Sequence, residues 1–110
     1  MKKIYLASPY TLGDLAVNVK TQMDATEELY KAGFAVYAPI VHMHFQHLVH
    51  PHDYNFWLKM CYEWLKSCDA ILRLPGVSEG ADLEEREAGR LGIPVFHNMV
   101  DLEYYFKNKR

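Results

Sequence analysis

The sequence predicts an α/β domain in which a parallel sheet carries helices on both of its faces. Short apolar segments with strand character alternate with longer segments of helical character, in the order β-α-β-α-β-α-β-α. Parallel strands need crossover connections, and helices in those crossovers cover both faces of the sheet. The chain has 110 residues, of which 50% are hydrophobic, enough for one domain with its own core. We therefore expect residues 1–110 to form a single domain.

The first two strands flank a long helix. Ile4–Ala7 is a short apolar run that predicts a buried strand. Thr11–Ala32 contains no proline and predicts a helix, which Gly33 ends in the left-handed conformation. Phe34–Pro39 predicts the second strand, closed by its proline. The expected core-facing positions of the helix are Val17, Met23, Ala25, Leu29 and Ala32.

The second half of the chain begins with a histidine-rich segment, Ile40–Asp53, which we expect to be irregular. The alternation then resumes, and glycine or a Pro-Gly step ends several of the segments. The expected elements are helices over Tyr54–Ser67, Glu84–Leu91 and Asp101–Phe106, and strands over Ala70–Leu74 and Ile93–Phe96.

Three loop segments are expected at the carboxyl ends of the strands. They are Ser8–Gly13, Pro39–Asp53 and Pro75–Asp82. Ligands of open parallel α/β sheets bind at this edge, so the chemistry of the protein is expected there.

Composition excludes several classes of partner. The formal net charge of −2 predicts no broad basic face, so we expect neither a nucleic-acid polymer nor a membrane as partner. No apolar run is long enough for a signal peptide or a membrane span. Cys61 lies on the predicted helix Tyr54–Ser67 and Cys68 directly follows it, about 10 Å away along the helix axis, which is too far for a disulfide. Reduced thiols fit a cytoplasmic protein.

The loop Pro75–Asp82 follows a strand and opens a helix. Its two glycines and Ser78 leave backbone N–H groups free to face a ligand, and the helix N-terminus adds partial positive charge. These features suit an anion or a sugar hydroxyl. The alternative is a tight strand-to-helix turn in which Ser78 or Asp82 caps the helix.

Glu84 differs from its acidic neighbours in the residues that share its helix face. Ala88 and Leu91, four and seven positions later, are both apolar. Glu84 is therefore expected on the inward stripe at the ligand edge, where an acid is more often functional. The alternative is a solvated, charged helix face.

Three segments resemble, in order, the nucleoside 2-deoxyribosyltransferase superfamily. The segments are Tyr5–Tyr10, Ser67–Ile71 and Ser78–Val95. The last contains Ser-x-Gly-x-x-x-Glu-x-x-x-Ala over residues 78–88, followed by Gly-Ile-Pro-Val at 92–95. Relatives in this superfamily include 2'-deoxynucleoside 5'-phosphate N-hydrolases and many short, uncharacterised phage and bacterial proteins.

The resemblance implies a flavodoxin-like or Rossmann-like three-layer sandwich with a central parallel sheet. It also implies hydrolysis or transfer at the N-glycosidic bond of a (deoxy)nucleoside or a nucleoside 5'-monophosphate, without a metal or other cofactor. Glu84 falls on the family's nucleophile and Tyr5 on a tyrosine near it. The substrate-binding residues expected from the two loops are Ser8, Pro9, Tyr10, Thr11, Ser78 and Gly80.

Two positions depart from the family pattern. Cys61 stands where the family usually has an aspartate that helps to place and protonate the base, so Asp53, Glu63 or a histidine would have to replace it. Thr11 stands where phosphohydrolase relatives have an arginine, which favours a nucleoside over a 5'-monophosphate. The alternative function is a non-catalytic nucleotide- or nucleoside-binding module on the same fold.

The histidine cluster allows two interpretations. Histidines in a loop near a nucleoside pocket can stack on a base or hydrogen-bond to it, and we expect this for His42 and His44 as parts of a lid. A metal site is the other interpretation, but no cysteine or acid accompanies the cluster at a familiar zinc spacing. The full cluster is His42, His44, His47, His50 and His52.

Aromatic residues on two helices suggest assembly. Those of the third predicted helix suit a core and a subunit interface, and Tyr104–Phe106 suits a docking strip. Since members of the family assemble, we expect a homo-oligomer, a dimer or a tetramer, that acts on a small molecule. The residues of the third helix are Phe56, Trp57, Tyr62 and Trp64.

Overall fold

A computed structural model, which describes residues 1–108, has an all-parallel four-stranded sheet at its centre. The strands lie side by side in the order β2-β1-β3-β4. Helices cover both faces, which confirms the predicted three-layer α/β sandwich of the flavodoxin-like type. The strands are β1 Lys3–Ala7, β2 Ala35–Tyr37, β3 Ala70–Arg73 and β4 Val95–Phe96; the helices are α1 Leu15–Lys31, α2 Pro39–Val49, α3 Tyr54–Leu65, α4 Glu79–Leu91 and α5 Met99–Lys107.

Alternate residues of the buried central strands build the two halves of the core. Ile4 and Leu6 of β1 pack with α1 and α5 on one face of the sheet. Tyr5 and Ala7 point to the opposite face and pack with α3 and α4. Successive side chains of a strand point to opposite faces, and helices cover both faces of this sheet. A strand at its centre is therefore a continuous apolar run.

The order in which the strands are added to the sheet reverses at β1. This strand pairs with β2 through Lys3 and Ala35, and with β3 through Ile4 and Ala70. The chain therefore leaves β1 towards one edge and later returns to pair on its other side. The connections after β1 and β3 lead to helices on opposite faces of the sheet, and the crevice at this point is the usual ligand site of such a sheet.

The prediction that Ile40–Asp53 is irregular was wrong for most of its length. Pro39 begins α2, which continues to Val49, and residues 50–53 connect it to α3. Proline suits the first turn of a helix because its φ angle is already helical and its missing N–H is not needed there. The expected strand end at Pro39 is therefore a helix start, directly after β2 and Ala38.

The boundaries and the inner face of α1 also differ from expectation. The helix begins at Leu15, not Thr11, because Asp14 caps it by accepting from the Val17 backbone N–H at 3.2 Å. Val17 and Met23 are exposed, whereas Gln22 and Thr26 are buried. The hydrophobic stripe was misjudged because two polar side chains occupy inward positions.

The predicted helix around Glu84 starts five residues earlier than expected. Ser78 caps α4 with its Oγ, which accepts from the Ala81 backbone N–H at 3.1 Å. Glu79 is its first residue, and Gly92 ends it in the left-handed conformation, as predicted. Within residues 1–108, no helix is both long and apolar enough to cross a bilayer.

Candidate active site

A cavity of about 290 Å³ opens at the carboxyl edge of the sheet. The loop after β1, the inner face of α2 and the N-terminal parts of α3 and α4 form its walls. Each of the three loop segments expected at this edge contributes residues to it. The lining comprises Leu6, Ser8, Tyr10, Thr11 and Gln22; Pro39, Ile40, Met43, His44, His47 and His52; Tyr54, Trp57, Leu58 and Cys61; and Ser78, Gly80, Ala81 and Glu84.

Glu84 presents its carboxyl group to this cavity from the second turn of α4. The residue is only 8% exposed, and the neighbouring inward position, Ala88, is fully buried. The hydroxyl of Tyr5 donates a hydrogen bond to Oε2 of Glu84. Tyr5 itself is fully buried on β1 and does not line the cavity, so it acts on the site through Glu84.

Burial sets the protonation of this carboxyl group. Removal from water disfavours the charged form and raises the pKa of Glu84 to about 8. The Tyr5 hydroxyl opposes this effect, because a donor to the carboxylate favours the ionised form. The site therefore holds an acid that changes charge near neutral pH, which is typical of functional carboxyl groups.

The loop between β3 and α4 is held by Arg73. The Nη2 and Nε groups of this buried residue donate to the carbonyl oxygens of Gly76 at 2.7 Å and Leu74 at 3.0 Å. Its Nη1 donates to Asp82 at 2.7 Å, at the start of α4. These three bonds fix the loop that carries Ser78 to the cavity.

Gly76 is required where this loop meets the loop after β1. Its φ angle is +120°, and an added Cβ would lie 2.7 Å from Cγ of Pro9. A side chain there would be strained by both its conformation and this contact. Pro9 thus packs against the second loop and does not line the cavity, while Ser8 and Thr11 of the same loop do.

Ser78 and Gly80 lie at the cavity where α4 begins. Ser78 is the N-cap, so the structural alternative for this serine is confirmed. Because Ser78, Gly80 and Ala81 line the cavity, the first turn of α4 and the positive end of its dipole lie beside it. An anion or a sugar hydroxyl fits this end of the cavity.

Tyr10 and His44 close another side of the cavity. The phenol oxygen of Tyr10 lies 2.6 Å from Nδ1 of His44, and the two rings meet edge to face. This bond joins the loop after β1 to the middle of α2. Burial raises the pKa of Tyr10 above its ordinary value.

Three of the five clustered histidines reach the cavity. His44 and His47 do so from α2, and His52 from the connection to α3. His42 does not line it, because its ring stacks on Tyr37 and its Nδ1 accepts from the Ala38 backbone N–H at 3.2 Å. Within residues 1–108, no group of three or more potential ligands is arranged to hold a metal ion.

Cys61, at the position where the resemblance implies an aspartate, lines the cavity. Burial raises the pKa of its thiol to about 12, so the group is neutral at physiological pH. Two suggested substitutes lie elsewhere: Asp53 caps α3 by accepting from the Phe56 backbone N–H, and Glu63 pairs with Lys66 on the surface. Among residues 1–108, Glu84 is the only carboxylate in the cavity lining.

Comparison with known proteins assigns the family. A family model described as "Domain of unknown function (DUF4406)" matches residues 2–97. The chain belongs to the DUF4406 family. A comparison with curated proteins found no match.

A solved structure supports the resemblance seen in the sequence. It is the 2-deoxyribosyltransferase of the psychrotolerant bacterium Bacillus psychrosaccharolyticus, described as a biocatalyst for the synthesis of antiviral and antitumoral nucleosides. It is 25% identical, with a TM-score of 0.57 over 84% of this chain and 69% of that chain. The similarity to the nucleoside 2-deoxyribosyltransferase superfamily is thereby confirmed.

Several lining residues of this DUF4406 protein were missed in the sequence. Gln22 was overlooked because it is polar within a helix, yet its amide donates to Ser8 Oγ at 2.8 Å and accepts from the Val41 backbone N–H at 3.1 Å. The inner face of α2 did carry a signal, since its lining residues follow the i, i+3, i+4, i+7 spacing of a helix. These residues are Ile40, Met43, His44 and His47.

Proposed function

We propose that this protein cleaves or transfers at the N-glycosidic bond of a (deoxy)nucleoside or a nucleoside 5'-monophosphate, with Glu84 as nucleophile. The observation that carries the proposal is the buried Glu84 carboxyl group, bonded by Tyr5 and open to a cavity of about 290 Å³. The likeness to a 2-deoxyribosyltransferase supports glycosyl transfer from nucleosides as the general class of reaction.

The reaction would proceed in two displacements at the anomeric carbon. The ionised Glu84 attacks this carbon, a glycosyl ester forms, and the bond to the base nitrogen breaks as the base accepts a proton. Water then hydrolyses the ester, or a second base displaces it, and either step restores the carboxyl group. Two inversions retain the configuration at the anomeric carbon.

The cavity offers different surroundings to the two ends of such a substrate. Ser78, Gly80 and the N-terminus of α4 suit the sugar hydroxyls or a 5'-phosphate beside Glu84. Tyr10 and His44 lie on the opposing wall, within reach of the base. We expect His42 to contribute indirectly, since its ring packs behind this wall.

Protonation of the leaving base is assigned to a histidine rather than to Cys61. A thiol with a pKa of about 12 is a weak acid for this step. His44, His47 and His52 are the imidazole groups of the lining, and imidazole is the side chain that most often serves as a general acid or base.

A non-catalytic nucleoside- or nucleotide-binding module is the second candidate. It is favoured by Cys61, because a cavity without a second carboxylate has less means to activate a leaving base. Binding without base release would be the expected behaviour of such a module.

The deciding experiment is a screen of nucleosides and nucleoside 5'-monophosphates for released base, with and without an acceptor base. Glu84→Gln should lower the rate at least about 10³-fold, because the amide cannot form the ester. The matched control is Glu85→Gln on the same helix; Glu85 lies outside the cavity lining, pairs with His97 at 2.8 Å and lies 3.8 Å from Arg73. Normal turnover in Glu84→Gln together with loss of turnover in Glu85→Gln would show that Glu85, and not Glu84, is the catalytic acid.

The expected partner is a small molecule rather than a nucleic-acid polymer or a membrane. We also place the protein in the cytoplasm, because Cys61 and Cys68 are free thiols. Release of base from free nucleosides, but not from single-stranded DNA, would support the first assignment.

A further inference from the structure

His47, Trp57 and His52 form a hydrogen-bonded group in the part of the cavity wall built by α2, α3 and the connection between them. All three residues line the cavity. The indole Nε1–H of Trp57 donates to Nδ1 of His47 at 2.7 Å. The backbone N–H of His52 donates to the same atom at 3.4 Å.

These contacts determine which nitrogen of His47 carries the proton. An indole N–H and a backbone N–H can donate but cannot accept. Nδ1 must therefore present its lone pair, which places the proton of the neutral ring on Nε2. Within residues 1–108 both hydrogen bonds of the ring fall on Nδ1, so Nε2–H remains for a ligand.

The position of Glu84 indicates which part of the substrate meets this donor. If Glu84 reacts at the anomeric carbon, the base extends away from the N-terminus of α4 towards α2 and α3. The flat ring of Trp57 and the apolar side chains of Met43 and Leu58 line this part of the cavity and suit the faces of a base. The edge of that base then lies against the His47 group.

We propose that His47 is the specificity-determining residue of this cavity and selects a 6-oxopurine or 4-oxopyrimidine over the corresponding amino base. This inference rests on the proposed function. The fixed Nε2–H finds an acceptor in a carbonyl oxygen, whereas an exocyclic amino group would oppose one donor with another. Tyr10 and His44 do not discriminate in this way, because a hydroxyl both donates and accepts.

The first test is independent of nucleosides. Two-bond ¹H–¹⁵N NMR spectra of the full chain should show His47 with a protonated Nε2 and an unprotonated Nδ1. Trp57→Phe removes the shorter of the two donor contacts to Nδ1 and should raise the share of the tautomer that is protonated on Nδ1. A protonated Nδ1 in the neutral ring of the wild type would overturn the inference.

The second test measures binding of 2'-deoxyinosine and 2'-deoxyadenosine in a Glu84→Gln background, which prevents turnover. The oxo nucleoside should bind about tenfold more tightly, as expected for one hydrogen bond exchanged for an unpaired donor. His47→Phe should reduce the ratio to about 1. The control, His50→Phe, changes a histidine that lies outside the cavity lining and should keep the preference.

The outcomes separate this inference from the proposed function. Equal binding of both nucleosides, or a preference that survives His47→Phe, would overturn the selection by His47 alone. Failure of both nucleosides to bind would overturn the proposed function together with this assignment of the base.

Discussion

At the scale of single residues, the site depends on how burial and one hydrogen bond act on Glu84. The helical spacing of Glu84, Ala88 and Leu91 predicted the inward position of the acid, and the structure buries it at 8% exposure. Its partner Tyr5 lies 79 residues earlier in the chain. The local sequence pattern thus predicted that Glu84 points inward. Its hydrogen bond to Tyr5 could not be predicted in this way, because the bond forms only when α4 packs against β1.

The pKa of Glu84 predicts a rise of base release with pH. Burial holds this pKa at about 8, and only the ionised form attacks, so kcat/KM should increase as pH rises towards that value, until loss of the proton that the leaving base must accept limits the rate. Tyr5→Phe removes a donor that favours the ionised form and should move the midpoint to higher pH. A pH–rate profile of both proteins checks this. A profile without a rise between pH 6 and about 9 would contradict Glu84 as the ionising group.

Cys61→Asp tests whether the missing aspartate limits turnover. An acid at this point of the cavity could protonate the base, and the rate should rise by about 10²-fold, the lower end of general acid catalysis. Asparagine has the shape of aspartate but no acidic proton, so Cys61→Asn should give no increase in the rate of base release. The measurement pairs base release with the unfolding midpoint, because a buried aspartate costs stability unless it finds a partner.

The result also separates the two candidate functions. A stable Cys61→Asp protein with no gain over an active wild type would assign the proton to a histidine of the cavity. A stable variant that remains inactive, beside an inactive wild type, would favour the binding module.

At the scale of elements, two connections decide the shape of the site. The segment after β2 was expected to be a loop because it begins with proline and contains five histidines, but it forms α2 and builds one wall of the cavity. The segment after β3 is a true loop, held by Arg73 through two carbonyl oxygens and Asp82. Both connections position side chains of the site from outside the sheet.

Arg73→Gln tests the role of this arginine in holding the loop. Its side chain is 9% exposed, and the loss of its charged hydrogen bonds should lower the free energy of unfolding by about 1–3 kcal/mol. Arg90→Gln is the control, because the side chain of Arg90 is exposed and its ion pair with Glu87 should contribute little to stability. Urea denaturation of the three proteins makes the comparison. Equal losses in both variants would show that Arg73 has no special role.

At the scale of the whole molecule, the outer face of α2 exposes a row of apolar side chains. Phe45, Leu48 and Val49 are 73%, 60% and 70% exposed and follow one helical face. Adjacent exposed apolar side chains of this kind often mark an interface. The predicted docking strip on α5 is divided, since Phe106 is buried and Tyr104 is exposed.

We expect a dimer or a tetramer of the 12.8 kDa chain in solution, assembled through α2. Phe45→Glu places a charge on this face and should shift the mass measured by light scattering towards the monomer. Tyr104→Glu, on α5, should leave the assembly unchanged. Dissociation by Tyr104→Glu alone would move the interface to α5, and a monomeric wild type would exclude assembly.

The class of fold and the inward position of the acid could be predicted from local sequence patterns. Alternation of short apolar runs with helical segments predicted the parallel sheet, and the helical spacing placed Glu84 inward, because both signals are periodic within one element. The contacts between distant side chains became visible only in the folded chain. Three hydrogen bonds of the site join residues that are far apart in the chain: Tyr5 to Glu84, Tyr10 to His44, and Gln22 to Ser8. Such contacts depend on strand order and helix packing, which no local period encodes.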